Sequence, residues 1–174
     1  LTNRYNVLIG DSAGYNNVDG AANTAIGSRS LYENIDGFYN TATGYGSLAN
    51  NTGDNNTAHG ASSLTNNITG SSNTAQGVGA MASNTTGSRN TAMGYYSLLS
   101  NTIGTRNTAI GYEAGLNSDG NYNIYLGYQA GLNETGDHKL YIESSNSTTP
   151  LIYGEFDNDL LRVNGTVQIN DPTL

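Results

Sequence analysis

The 174-residue chain has no cysteine and no tryptophan, and it has 23 glycines but only two prolines. Without cysteine there is no disulfide framework and no thiolate metal site, although a secreted repeat scaffold can do without both. No apolar run approaches the roughly 20 residues that a membrane-spanning helix needs. We therefore expect no membrane insertion by this segment, and the absence of cysteine leaves the compartment open.

Positive charge is also scarce in this chain. Six Lys and Arg stand against 14 Asp and Glu, which gives a net charge of -8. Because binding to a phosphate backbone needs a basic face, we expect no nucleic-acid partner. Only 36% of the residues are hydrophobic and 13 residues are Tyr, so a conventional globular core is not expected either.

A short phrase, Asn-Thr-Ala-x-Gly, repeats along the chain. Its six strict copies begin at Asn23, Asn40, Asn56, Asn73, Asn90 and Asn107. Looser copies begin at Asn6, Asn123 and Lys139, so the starts always lie 16 or 17 residues apart. Repetition at a fixed short period predicts a repeat architecture rather than disorder.

The composition of one repeat favours strand and turn. Each Gly, Asn or Thr would cost several tenths to about 1 kcal/mol in a helix interior. We predict one coil of a narrow β-solenoid per repeat: a strand at Asn-Thr-Ala-x-Gly, a turn, a second short strand at the ninth place, and a turn closed by glycine. That closing glycine would supply positive φ or a tight bend. Nine coils at a strand spacing of roughly 4.8 Å would make a rod about 40 Å long.

Side-chain alternation assigns the faces of the first strand. Places one, three and five share one face, and places two and four share the other. The small Ala at place three and Gly at place five predict a thin interior, closed by an aliphatic residue at the ninth place. Those aliphatic residues are Leu31, Leu48, Leu64, Met81 and Leu98. The stacked first-place asparagines should form an amide ladder from coil to coil.

The fourth place of the strand is the candidate for a subunit interface. One buried Leu contributes roughly 1.5–3 kcal/mol, whereas ordering each residue costs on the order of 1–2 kcal/mol, so a lone rod needs a further buried surface. The fourth-place residues are apolar at both ends and polar in the middle. They are Ile9, Ile26, Thr43, His59, Gln76, Met93, Ile110 and Leu126. We expect a homo-oligomer, with Ile26 to Ile110 of this series at its axis.

The repeat resembles a known family. Asn-Thr-Ala-Ile-Gly, followed by a small-Leu pair and an Asn-Thr-x-Gly turn, is similar to the head repeats of trimeric autotransporter adhesins (YadA-like heads), and similar arrays occur in phage-like fibres and bacterial surface proteins. The resemblance spans about residues 6–143. It implies a left-handed parallel β-roll, a homotrimer, and an extracellular place at a bacterial surface or on a phage-like fibre. The best-known heads have shorter copies with Ser-Val-Ala instead.

Two domains follow from where the repeat stops. We predict a β-roll head at residues 1–143 and a β-rich capping or neck segment at residues 144–174, which the resemblance implies leads to a stalk. Around and after the boundary, strands are predicted at Leu140–Ile142, Leu151–Tyr153, Leu160–Val163 and Thr166–Ile169. Asn164-Gly165 is a strong hairpin signal. We expect this segment to cover the open edge of the last coil.

No catalytic constellation is present in the sequence, so an enzyme is not expected, and neither is a cofactor. His59 lies inside a repeat and His138 lies in a turn. Three copies of His59 around a threefold axis could hold an ion, but a hydrated His59 is the favoured interpretation, and no metal site is predicted.

Tyrosines at the sixth place are the candidates for ligand binding. The proposed ligand-binding residues are Tyr45, Tyr95, Tyr96, Tyr112 and Tyr128. Exposed Tyr suits a surface glycan or protein of a target cell, while the alternative is that these rings pack on the coil below.

Three functions remain open at this point. The first is a fibre adhesin head, a rigid rod that attaches to a cell, glycan or matrix surface. The second is a structural spacer with no ligand. A distant third is ice binding, suggested by one Thr per coil at the second place: Thr24, Thr41, Thr57, Thr74, Thr91 and Thr108.

Overall fold

The computed structural model describes residues 5–167, and in that part the chain is all-β with no helix. Eleven strands form one sheet in chain order. The first nine run parallel, one per turn, so the architecture is a parallel β-solenoid of about eight turns. The strands are β1 (Val7–Ile9), β2 (Thr24–Ile26), β3 (Thr41–Thr43), β4 (Thr57–His59), β5 (Thr74–Gln76), β6 (Thr91–Met93), β7 (Thr108–Ile110), β8 (Ile124–Leu126), β9 (Lys139–Ile142), β10 (Ile152–Glu155) and β11 (Leu160–Val163).

The parallel strands stack in register, so that each place of the repeat forms a column along the rod. Ala25 of β2 lies opposite Ala42 of β3, and the same pairing continues through successive coils. Each of the nine parallel strands begins at a repeat start predicted from the sequence or one residue after it. The last start is different, because β9 forms but the chain then reverses, which leaves eight turns instead of the nine expected.

The thin interior matches the prediction from the repeat. The third-place residues are fully buried, as Ala25, Ala42, Ala58, Ala75, Ala92 and Ala109. The ninth-place residues Leu31, Leu48, Leu64, Met81 and Leu98 are 0–1% exposed and close the core against them. Places two and four point outward, since their residues are half-buried or exposed.

The second strand predicted at the ninth place is wrong: that segment is a turn. The ninth-place residues adopt positive φ, from 48° at Leu31 to 53° at Met81. The seventh-place residues do so as well, for example Arg29 at 58°. Two left-handed residues so close together bend the chain too sharply for a strand, and each costs roughly 1–2 kcal/mol. Burial of the leucine and a coil-to-coil bond, such as Leu31 N–H to the Ser47 carbonyl at 3.0 Å, offset that cost.

The closing glycines are required for space rather than for positive φ. A Cβ on Gly53 would lie 2.0 Å from the carbonyl oxygen of Gly70 in the next coil. Positive φ instead falls on the glycine that ends each strand, for example 133° at Gly27 and 124° at Gly44. The positive φ predicted as one alternative for the closing glycine is therefore wrong, and the close approach of the next coil is the reason that glycine is needed there.

The first-place asparagines link successive coils as predicted, but through the backbone. The N–H of Asn40 donates to Oδ1 of Asn23 at 2.8 Å, and the N–H of Asn56 donates to Oδ1 of Asn40 at 2.9 Å. The amide nitrogen of Asn23 donates to the carbonyl of the closing Gly37 at 2.8 Å. Each first-place side chain thus ties its own coil shut and holds the start of the next one.

A second asparagine ladder, at the twelfth place, was not predicted. In it the side-chain nitrogen of Asn34 donates to Oδ1 of Asn17 at 2.9 Å, and that of Asn51 donates to Asn34 at 3.0 Å. Asn34 also donates to the Gly37 carbonyl, so both ladders meet at one oxygen. No buried side-chain nitrogen or oxygen lacks a partner anywhere in residues 5–167.

The difference between 16- and 17-residue coils lies between the twelfth place and the closing glycine. The coil with Asn51 has one residue before Gly53, whereas the coil with Asn34 has two before Gly37. Both coils keep the twelfth-place bond, since Asn51 contacts Asn34 as above and Asn67 contacts Asn51 at 2.6 Å. The turn alone absorbs the missing residue.

Near the end of the rod, the large core residue is at the third place of the repeat and the small one is at the ninth, which reverses the pattern of the interior coils. Tyr125 stands where interior coils have alanine and is fully buried, with its hydroxyl 2.9 Å from Oγ of Ser118. Glycine stands where those coils have leucine: a Cβ on Gly131 would lie 2.2 Å from the Tyr125 ring, and one on Gly115 would lie 2.5 Å away. Leu8 and Gly14 repeat the exchange in the first turn.

The residues after β9 form an antiparallel hairpin on its outer edge. β10 pairs with β9, and β11 pairs with β10. The predicted strands near residues 140, 151 and 160 are confirmed with small shifts. The β10–β11 turn spans residues 156–159 rather than Asn164-Gly165, because the Asn164 N–H and side chain bond back to Leu151 and Pro150. Of the strand predicted at Thr166–Ile169, the first two residues are not in a strand and the last two lie outside the described range.

The exchange at Tyr125 predicts a compensated pair of substitutions. Tyr125→Ala should lower the free energy of unfolding by about 3–5 kcal/mol, because it opens a cavity in the core. Gly131→Leu alone should also destabilise, since its Cβ would clash with the ring. The double variant restores the alanine-leucine pattern of interior coils and should be more stable than either single variant. Denaturant unfolding of the three variants tests this; a double variant as unstable as the sum of the two would contradict it.

The second asparagine ladder predicts a large effect from one buried amide. Asn67→Leu leaves an amide hydrogen of Asn84 without the acceptor it has at 2.5 Å, and should cost about 1–3 kcal/mol of unfolding free energy. The control is the adjacent Asn66→Leu, because Asn66 is exposed and its change should cost less than about 0.5 kcal/mol. Equal losses in thermal or denaturant unfolding would show that the ladder is not a source of stability.

Candidate functional site

The outward face of the strands carries the predicted fourth-place residues in one continuous column. Each lies opposite the same place of the next strand, as Thr43 does with His59. Ile26, Met93 and Ile110 are 41%, 38% and 43% exposed. The full set is Ile26, Thr43, His59, Gln76, Met93 and Ile110, and all of it lies on this face. Thr43 Oγ1 bonds to Nδ1 of His59, which joins two rungs of the column.

Four of the five candidate tyrosines come together as a ladder on three successive coils. The rings of Tyr95 and Tyr112 stack at 5.2 Å with a 10° interplanar angle, and those of Tyr112 and Tyr128 stack at 5.3 Å and 11°. The Tyr96 ring lies 4.0 Å from that of Tyr95, tilted by 36°. Tyr45 stands apart with no aromatic partner in the described range, because Ala61 and Val78 occupy the sixth place of the two coils between.

Neighbouring polar groups raise the pKa of two tyrosines in the ladder. A hydrogen bond with the Tyr96 hydroxyl, followed by burial, raises the pKa of Tyr95 to about 12. A hydrogen bond with the Glu113 carboxylate, again followed by burial, raises the pKa of Tyr112. Glu113 also accepts a bond from Nε2 of Gln129 at 2.7 Å. With their pKa values raised, the phenols of Tyr95 and Tyr112 are neutral at physiological pH.

The ladder remains partly exposed to solvent. Tyr95, Tyr112 and Tyr128 are 41–50% exposed, although their faces stack on each other. Coil-to-coil packing of these rings, one of the two interpretations of the sequence, is thus present. The row of phenol edges remains available to a partner, which is the other interpretation.

A second mixed column, missed in the sequence, lies at the last place of each coil. The guanidinium of Arg106 lies 5.0 Å above the Tyr122 ring and donates to its hydroxyl. On its other side, Tyr122 stacks on His138 at 4.8 Å and 7°. Residues of this column precede each first-place Asn, so aligning the repeats by their last residue would have found them.

The second-place threonines also form an outward column, in register from Thr24 to Thr108. Ile124 follows Thr108 in the next strand, which ends the series. The neighbouring column is the mixed fourth place. Among the described strands, only β3 therefore has threonine at both outward places, as Thr41 and Thr43.

Among residues 5–167, no three His, Cys, Asp or Glu side chains come close enough to hold a metal ion. In the same range no helix is long and apolar enough to span a membrane. His59 and His138 lie in different columns, at the fourth and last places of their coils.

The chain matches no family model, no curated protein and no solved structure.

Proposed function

We propose that this chain is the head of a trimeric fibre adhesin, a rigid extracellular rod that attaches a bacterial cell or phage-like particle to a target surface. The observation that carries the proposal is the fourth-place column, a straight row of exposed side chains that includes Ile26, Met93 and Ile110. An isolated rod would leave these apolar groups in water, whereas a threefold axis would bury the column against its equivalents in two other chains.

The interior alone supplies little apolar burial, which supports an assembly of several chains. An interior coil buries little more than one alanine and one leucine, as with Ala58 and Leu64. In the proposed trimer each chain is a left-handed β-roll and three chains surround a common axis, as the resemblance implies. The polar rungs Thr43, His59 and Gln76 lie at mid-length, and the side chains of Thr43 and His59 bond to each other within one chain.

The β10–β11 hairpin is proposed to cap the rod at its end. It pairs with the outer edge of β9, which would otherwise offer a row of free backbone groups to other chains. Lys139 of β9 and Glu155 of β10 reinforce the junction with a 3.4 Å salt bridge. The segment that follows would lead to the stalk of the fibre.

The tyrosine ladder is proposed as the surface that contacts a glycan or protein of the target. Tyr95, Tyr96, Tyr112 and Tyr128 form a rigid strip with exposed hydroxyls, and rigid Tyr loses little entropy on binding. The alternative is a spacer without a ligand. The mutual stacking of the rings is the observation that supports this alternative.

The trimer axis is tested by measuring mass in solution. Light scattering should give three times the 18.2 kDa of the chain. Met93→Glu with Ile110→Glu should dissociate the trimer, because six carboxylates would converge at the axis. Ile68→Glu is the control, since Ile68 is 51% exposed at a turn outside this column. A monomeric parent chain would overturn the proposal, and a trimeric double variant would place the axis on another face.

The choice between adhesin and spacer is tested by binding. Tyr95, Tyr112 and Tyr128 changed together to Ser should abolish attachment to target cells or to a glycan array, while Tyr45→Ser should leave it unchanged because that ring lies outside the ladder. Both variants must remain trimeric by light scattering. Binding that survives loss of the ladder would favour the spacer.

A further inference from the structure

Two arginines occupy the same corner of consecutive coils in this acidic chain. Arg89 and Arg106 are both exposed, at the last place of their coils, with φ of 62° and 59°. The strands that follow them are in register, with Thr91 opposite Thr108. The two side chains therefore leave the backbone about one strand spacing apart, roughly 4.8 Å.

No carboxylate offsets this pair of positive charges. The chain has no Asp or Glu from residue 55 to residue 112, and neither arginine forms a salt bridge within the described residues. Two like charges this close to each other repel, although solvent weakens the repulsion at an exposed corner. A pair of like charges that no acidic side chain neutralises is a local inconsistency of the kind found at functional sites.

Arg106 is held in place and Arg89 is not. The Arg106 guanidinium lies on the Tyr122 ring and donates one N–H to its hydroxyl, while His138 stacks behind that ring. A guanidinium has five N–H donors, so most of those on Arg106 stay available. A fixed guanidinium loses less entropy when it binds an anion, and the free side chain of Arg89 can close on the same group.

We propose that Arg89 and Arg106 form a clamp for the carboxylate or sulfate groups of an acidic polysaccharide. A guanidinium pair matches the planar or tetrahedral oxygens of such groups with paired hydrogen bonds. A polysaccharide fits better than nucleic acid, because two arginines on a chain of net charge -8 cannot neutralise a dense phosphate backbone. The carboxylate of Asp119, in the next coil, is already bonded to the N–H groups of Thr102 and Ile103 and forms no salt bridge with Arg106.

The clamp names a ligand class for the proposed adhesive function. It rests on that proposed function only for the assumption that the rod meets a polysaccharide surface. Its residues lie outside both the tyrosine ladder and the fourth-place column. Trimer formation and the tyrosine-dependent binding above can thus succeed or fail independently of the clamp.

The test is binding of the full chain to immobilised polysaccharides, measured by surface plasmon resonance at low and physiological salt. Polygalacturonate supplies carboxylates, dextran sulfate supplies sulfates, and plain dextran is the neutral control. The variants are Arg89→Gln, Arg106→Gln and the double substitution. Arg29→Gln is the matched control, because Arg29 also lies over a tyrosine ring, 5.1 Å from that of Tyr32, but has no arginine in the next coil.

The double variant should bind an acidic polysaccharide at least tenfold more weakly, each single variant severalfold more weakly, and Arg29→Gln within twofold of the parent. Tyr122→Phe, which loses only the hydroxyl partner of Arg106, should weaken binding severalfold. Which polymer binds identifies the anion. The thermal midpoint should not fall in Arg89→Gln, because a like-charge pair is removed.

Four outcomes would each overturn the clamp. They are binding to neither acidic polymer, equal loss of binding in Arg29→Gln, equal binding to plain dextran, and tighter binding to DNA than to the acidic polymers.

Discussion

The convergence of two amide ladders on one carbonyl oxygen per coil is the constraint on which the rest of the molecule depends. At Gly37 that oxygen accepts from Asn23 and Asn34. The arrangement leaves no room for a Cβ at the closing glycine, where Asn34 Oδ1 would lie 2.4 Å away. It also brings the twelfth place beside the first, which sets the coil circumference and with it the register of every outward column.

Polar bonding of this kind lets the core be small. In most domains a polar group is buried only where apolar packing already excludes water, whereas here the amides themselves fill half of the interior. The apolar half keeps a constant volume by exchange: alanine faces leucine in the middle turns, and Tyr125 faces Gly131 near the end. Volume-conserving swaps are the substitutions that packed cores tolerate best.

The sequence was sufficient for the strands, their register and the buried Ala25 and Leu31, because these follow from period and alternation alone. It was misleading for the ninth place, because leucine rarely adopts positive φ and only the packed coil imposes it. The role of Asn34 was hidden, since a turn asparagine and a ladder asparagine have the same sequence signature. Tyr95 and Tyr112 could be picked as candidates, but their stacking depends on ring orientation. The contact of Arg106 with Tyr122 spans two repeats and needed the structure.

The turn between the twelfth place and the closing glycine, which forms one corner of the coil, has one or two residues and so gives coils of 16 or 17 residues. Since the bonds at Asn51 and Gly53 survive with one residue fewer, chain length at this corner is decoupled from the ladders. An insertion there would project sideways without shifting the coils above or below it. Gene duplication can therefore lengthen the rod while small insertions at this corner alter its profile, and the two kinds of change do not interfere.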